Sequence, residues 1–396
     1  MPRPLPPPLP RRVSWYRFRD VALALGGAAL LSGCGGEAPP AQTARAARGN
    51  AAAARPAQGA SSASLPDSAL EPAAKEAIDA EDWPRAESLY RELARRQPRN
   101  PAGKRGLGVA LIKQAKNDEA VEVLQASLEL ADDAGARLDL ATAFAGLGRY
   151  PSALPHLRKA VKLQPTAPAG WAQLADALVK VEKPDSAAEV LSESRGTCHR
   201  CEADSAWGNA ADEVAEALDA RAEKQLATND AAGARKNVEA AAALRPDLPA
   251  LHLTQAKLAR ADGDATLAKA EFRKAVEGMP DANTAPGTYA RLELATLLIA
   301  DGGGAEAAKL AREVVAARGD HPAALDALGR ACDATKDIPC ARKAYEKVAN
   351  LPPTAELSED ALDHARLRMK ELKGGKHRGR RTDRRHPHRR RGAART

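Results

Sequence analysis

The chain has 396 residues, enough for two or three ordinary domains. Aromatic residues make up only 3% of it while alanine abounds, which argues against one large globular core and suits helices packed closely in pairs. The formal net charge of +8 is uneven: residues 374–396 carry +9, residues 1–33 carry +4, and the stretch between them is mildly acidic at −5. No run of alternating β-branched residues bounded by turns is present, so strand signals are nearly absent.

At the N-terminal end, Arg11, Arg12, Arg17 and Arg19 precede an apolar stretch from Val21 to Leu31. A bilayer-spanning helix needs ~20 apolar residues, so this stretch is too short to span and has the length of a signal-peptide core. It ends Leu31-Ser32-Gly33-Cys34, which resembles the lipobox of bacterial lipoproteins. That resemblance implies that residues 1–33 are a signal peptide and that Cys34 is acylated. Several acyl chains would anchor the protein stably in a membrane. Position 35 is Gly rather than Asp, which by the same resemblance favours the outer membrane, facing the periplasm. The rest of 34–66 is rich in Ala, Pro, Gly, Ser and Gln and buries too little to fold. It reads as a disordered tether of ~30 Å reach.

From residue 67 a repeat emerges. Ala86, Ala120, Ala153, Ala187, Ala234, Ala268, Ala307 and Ala341 recur at spacings of 33 or 34, with two longer steps of 47 and 39. Twelve residues before each stands a small residue: Ala74, Gly108, Ala141, Ala175, Ala222, Ala256, Ala295 and Gly329. Four residues after each stands an apolar one: Tyr90, Leu124, Leu157, Leu191, Val238, Phe272, Ala311 and Tyr345. Pro98, Pro165, Pro246, Pro280 and Pro353 lie twelve after five of these alanines. This pattern resembles the tetratricopeptide repeat (TPR), best of all in Trp171 to Leu178 followed by Ala187 and Leu191.

The resemblance implies an all-α, right-handed superhelical solenoid of about eight helix-turn-helix repeats. They fall at 67–100, 101–133, 134–167, 168–201, 215–248, 249–282, 288–321 and 322–355, in two blocks, 67–201 and 215–355, around an insertion at 202–214. Paired small residues let the two helices of a hairpin approach closely, and stacking buries the apolar face that one hairpin leaves open. Pro84, Pro151, Pro184 and Pro339 fall just inside second helices, where a missing N–H costs nothing. The fifth repeat is weak, with Arg221 and Gln225 where Leu and Tyr are usual. Gly302-Gly303-Gly304 reads as the turn of the seventh. Segment 356–373, with Leu357, Ala361, Leu362, Ala365, Met369 and Leu372 at helical spacing, reads as a capping helix. Residues 374–396 read as a disordered basic tail.

Cys198-His199-Arg200-Cys201 leaves three readings open: a redox pair, half a zinc site or a local disulfide, the last being simplest in an oxidising compartment. Cys332 and Cys340 fall on facing helices of one hairpin, as a disulfide or as two buried thiols. No histidine stands at ligand spacing from a cysteine or carboxylate, and no phosphate loop, nucleophile elbow or HExxH occurs. The expectation is therefore no catalytic residue, no metal and no cofactor.

In TPR proteins the first helix of each repeat lines a concave groove that holds other proteins or peptides. Carried over position by position, that implies a groove containing Arg105, Lys113, Asp176, Lys180, Lys257, Arg260, Arg330 and Asp333. The carboxylate clamp of chaperone-docking relatives is missing: Glu71, Lys75, Arg105 and Val109 occupy its positions. The tail's Arg380, Arg381, Arg384, Arg385, Arg389, Arg390 and Arg391 have no aromatic neighbour within the tail, which disfavours nucleic acid and leaves anionic lipid or lipopolysaccharide phosphates as its polyanion. The leading expectation is a non-catalytic, lipid-anchored envelope scaffold assisting a pilus, secretion or outer-membrane assembly. The alternative is a cytosolic adaptor whose basic tail binds nucleic acid or other polyanions.

Overall fold

The computed structural model describes residues 64–352 and 359–378. Among these are seventeen α-helices and no strand. Sixteen helices form eight hairpins: α1 (Asp67–Asp79) with α2 (Trp83–Arg96), α3 (Pro101–Lys113) with α4 (Asn117–Leu128), α5 (Ala134–Gly146) with α6 (Tyr150–Leu163), and α7 (Pro168–Lys180) with α8 (Pro184–Thr197). Then come α9 (Ser205–Ala227) with α10 (Ala231–Leu244), α11 (Pro249–Ala261) with α12 (Ala265–Gly278), α13 (Ala285–Ala300) with α14 (Gly304–Arg318), and α15 (Pro322–Ala334) with α16 (Ile338–Ala349). A last helix, α17 (Glu359–Arg378), packs on α16 and α15. Among the described residues no helix is long and apolar enough to cross a membrane. Cys34, nearly all of 34–66 and the seven tail arginines lie outside the described residues.

The helices start where backbone chemistry favours a start. Pro101, Pro168, Pro249 and Pro322 open first helices, and Asn100, Asp133, Asp204, Thr284 and His321 accept hydrogen bonds from orphan N–H groups as caps. Asp82, Asp230, Asp264 and Asp337 do the same for second helices. The small residues then set the packing. Ala74, Ala175, Ala222, Ala256 and Ala295 are fully buried, as are Ala86, Ala120, Ala187, Ala234, Ala268, Ala307 and Ala341. A Cβ at Gly108 would lie 2.5 Å from Leu124 Cγ, and one at Gly329 would lie 2.6 Å from Tyr345 Cε1. In these two hairpins the large apolar residue thus occupies the room that the small one leaves.

Five residues before each of the eight recurrent alanines the backbone turns left-handed: Glu81, Ala115, Gly148, Glu182, Asn229, Gly263, Gly302 and Lys336 all have φ between 54° and 80°. The turn is closed by bonds such as Lys183 N–H to Leu178 C=O at 2.9 Å. Four of these positions carry a Cβ and lack asparagine's tolerance of this region. Glu182→Gly is therefore expected to stabilise the chain by about 0.5–1 kcal/mol, seen as a raised midpoint in urea melts.

One expectation is filled in and one needs correction. The 202–214 insertion is itself helical: a short turn at Cys201–Ala203 leads into α9, which starts at Ser205 and takes up the rest as extra turns. Asp204 supplies the cap, and the run from Ala206 to Ala217 contains only one glycine and no proline to stop a helix. The capping helix also outruns its expected end. It continues to Arg378, so residues 374–378 of the expected disordered tail are helical. Gly374-Gly375 weakens a helix without breaking it, and no proline follows until Pro387.

Candidate peptide-binding face

Every successive pair of first helices from α3 to α17 is in contact, whereas among second helices only α8 and α10 make more than marginal contact across hairpins. The closer approach puts the first helices on the inner side of the stack. All eight groove residues singled out above lie on these helices.

A residue one repeat along the chain is a spatial neighbour one helix away, so charges some 34 residues apart meet. Arg105 Nε donates to Asp139 at 2.7 Å, linking α3 to α5. Lys180 reaches Glu213, linking α7 to α9, and also lies 3.6 Å from Asp176. Lys257 pairs back with Glu223 of α9 at 2.5 Å and sits 5.4 Å over the Tyr289 ring, while Arg260 pairs forward with Glu293 of α13. Asp333 accepts two 2.7 Å bonds from Arg368 of α17. Arg330 makes only a 3.9 Å contact with Asp326, and Lys113 lies 5.6 Å from the Trp83 ring. The charges that the groove rule placed on this face are thus largely paired within the stack. The exposed pairs, Lys180 with Glu213 and Lys257 with Glu223, contribute at most about 1 kcal/mol each, so a partner can exchange them at little cost, whereas the Arg105–Asp139 and Arg368–Asp333 pairs are half-buried.

Arg330 and Asp333 also line one cleft of about 350 Å³ together with Ile299, Ala334, Tyr345, His364 and Arg368. The remaining groove residues are strung along the face rather than gathered at one point.

Sequence reasoning passed over the most distinctive part of this face. In the weak fifth repeat, Asp219 and Glu223 fall at the positions that Arg105 and Lys257 hold in their repeats, and Glu216 lies one turn before Asp219 on α9. With Glu213 of α9 and Asp176 of α7 they make five carboxylates against two lysines, Lys180 and Lys257. Applying the groove rule to this repeat would have found them. The unusual Arg221 and Gln225 have structural partners instead: Arg221 bonds to Asp185 of α8 at 2.8 Å, and Gln225 bonds to Asp230 at 3.0 Å and to Asn237.

Burial pushes the Asp176 carboxyl upward, and a hydrogen bond with Glu213 adds to it. Burial likewise pushes Asp219 up to about 6, with Thr254 and Lys257 opposing and Glu223 and Glu216 reinforcing. Asp219 is only 6% exposed, and its Oδ1 has no hydrogen-bond partner. An unfolded aspartate releases its proton near about 4, while the folded one holds it to about 6. Between those values the native state binds more protons, so this group makes stability fall as pH rises. Asp219→Asn is expected to match the parent near pH 4 and to exceed it by roughly 1–3 kcal/mol above pH 7, read from urea melts across that range.

A family model described as Tetratricopeptide repeat matches residues 72–136, 107–168, 138–197 and 292–356. The fold is a TPR solenoid. Among solved structures the solenoid is similar to the C-terminal part of a TPR repeat-containing protein from Cytophaga hutchinsonii, at 16% identity, covering 64% of this chain and 98% of that one, with a TM-score of 0.44. It is similar to yeast Tom70 at 16% identity, covering 76% and 61%, with a TM-score of 0.35. It is also similar to the APC/C hetero-tetramer Cut9-Hcn1 at 11% identity, covering 75% of this chain, with a TM-score of 0.34. This chain spans 55% of the length of that last one. No curated protein sequence matches it.

The cysteines of the solenoid are joined in two pairs, Cys198 with Cys201 and Cys332 with Cys340. Cys198 and Cys201 are buried between α8 and α9. Among the described residues, one group of potential metal ligands lies close together, Cys332, Asp337 and Cys340. Its two sulfurs are bonded to each other and Asp337 caps α16, so no free donor set is left there. One histidine does meet a carboxylate: His252 Nδ1 lies 2.7 Å from Glu271, in a buried pair bridging α11 and α12. Their 19-residue separation hid that pair from any local motif search.

Proposed function

We propose that this chain is a non-catalytic protein-interaction scaffold, held at the cell envelope by an acylated Cys34 and presenting its first-helix face to a protein partner during assembly of a multiprotein complex. What carries the reading is the face itself: first helices in continuous contact from α3 to α17, bearing ordered, exchangeable charged side chains along their length. Such a surface fixes side chains for selective contact with an extended ligand. The lipobox-like Leu31-Ser32-Gly33-Cys34 supports membrane attachment, with the outer membrane and periplasm as its place. The arginine-rich tail is suited to anionic lipid or lipopolysaccharide phosphates.

The test has two arms. Mass spectrometry of protein from the membrane fraction should find acylated Cys34 as the first residue, and Cys34→Ala should release the chain. Retention of residues 1–33 or undiminished membrane association would remove the anchor. In crosslinked envelopes, the triple variant Lys257→Glu, Arg260→Glu, Arg330→Glu should lose its main protein partner. Neutralising the tail should weaken only salt-sensitive surface attachment. Loss of the partner on tail neutralisation alone would overturn the scaffold reading.

A further inference from the structure

The acidic stretch of the groove has a complement within the chain. We propose that the Arg-rich segment 379–396 docks on the carboxylates of α9, so that the chain occludes the middle of its own groove until the tail is drawn away. This deepens the scaffold reading and rests on it, since it assigns an occupant to the same face.

Three observations carry the argument. First, Asp176, Glu213, Glu216, Asp219 and Glu223 outnumber Lys180 and Lys257, while the segment 379–396 holds eight arginines against one aspartate. Second, the Oδ1 atom of Asp219 is buried without a partner between Glu216 and Glu223, beside Thr254 and Lys257 of α11. That oxygen is shielded from solvent, but a guanidinium pairing with the exposed Glu216 or Glu223 would offset the repulsion that these two carboxylates exert on the ionised Asp219. Third, the acids are spread out. Glu213 to Glu223 lie ten residue steps apart along the helix, about 15 Å, and they form no cluster tight enough to hold a metal ion. A stripe of that length suits a run of guanidinium groups better than a point charge.

The reach is sufficient. Four helix steps separate α17 from α9, roughly 40 Å at about 10 Å per step. The 18 residues beyond Arg378 span up to about 60 Å when extended. Tethering sets an effective concentration on the order of millimolar, so a contact that is weak between separate molecules would still be occupied.

The experiment uses the full chain with Arg380, Arg381, Arg384, Arg385, Arg389, Arg390 and Arg391 changed to Gln, which empties the groove. A fluorescent peptide of residues 379–396 is titrated into it at about 50 mM salt and followed by anisotropy. Saturable binding is expected, weakening steeply as salt rises. Adding Glu216→Gln, Asp219→Asn and Glu223→Gln should weaken it tenfold or more, in a variant that folds at least as well for the reason given above for Asp219. The control Glu129→Gln, Glu189→Gln, Glu239→Gln removes equal charge elsewhere and should leave affinity unchanged. The unaltered chain should bind the peptide more weakly than the tail-neutralised one, because its own tail competes. Absence of binding, equal loss in the control, or equal affinity with the native tail present would each overturn the proposal. If the peptide fails while the Lys257, Arg260 and Arg330 variant still loses its crosslinked partner, this inference falls and the scaffold stands.

Discussion

Replacing Ala187 by leucine is expected to destabilise the chain by about 1–3 kcal/mol, while Lys183→Ala, one turn earlier, should change stability by less than about 0.5 kcal/mol. Ala187 of α8 and Ala175 of α7 are both fully buried in one hairpin. Leu191 and Leu178 already fill the space around them and are also fully buried. Three added carbons would force the helices apart or drive a neighbour out of its rotamer. Lys183 is exposed, at the cap position of α8, and its side chain makes no capping bond, so truncating it removes little. Urea melts of the two variants give the comparison. Equal midpoints would show that Ala187 does not face Ala175 tightly, and the repeat register would fail with it.

The second large effect is expected at Arg291. Its side chain is only 4% exposed and is fully used: Nε donates to Glu313 at 3.0 Å, one terminal nitrogen donates to the carbonyls of Met279 and Gly287, and the other donates to the carbonyl of Pro280. This one guanidinium ties the α12–α13 connection to both α13 and α14. Arg291→Ala would leave two loop carbonyls and a carboxylate without their donor, at a cost of about 3–5 kcal/mol. Arg291→Lys should recover little, because an ammonium lacks the planar fork that spans these acceptors. Thermal melts of both variants decide the point. A lysine variant as stable as the parent would show that the charge alone matters and that the fork geometry does not.

Much of the fold was legible in one dimension because its determinants are local. Each hairpin needs small residues where its helices touch, a large residue to fill the room beside them, and a turn between the helices, all within some 34 residues. Gly108 and Gly329 behave as that logic requires, with Leu124 and Tyr345 occupying the space that a Cβ would take. The face of the first helices was legible for the same reason, since the rule naming Arg105 or Lys257 is a rule of position within one repeat.

Pairing was not legible, since it depends on the neighbouring repeat. Nothing local in Lys257 says that Glu223 neutralises it, nor that Arg291, standing where Leu325 and Trp171 stand in other repeats, is buried rather than exposed. The left-handed turn residues Glu81, Ala115, Glu182 and Lys336 carry no compositional sign of their backbone, because closure of the hairpin imposes it on whatever residue stands there. By itself, then, the sequence determined the helical hairpin, its period and the face it presents, through small-residue contacts and turns acting over one repeat. Only the tertiary structure decided which charges are spent inside the stack and which buried carboxylate oxygens, those of Asp219 and Asp326, are left without a hydrogen bond. Those outcomes depend on distances between helices 33 to 35 residues apart, and stacking alone sets them.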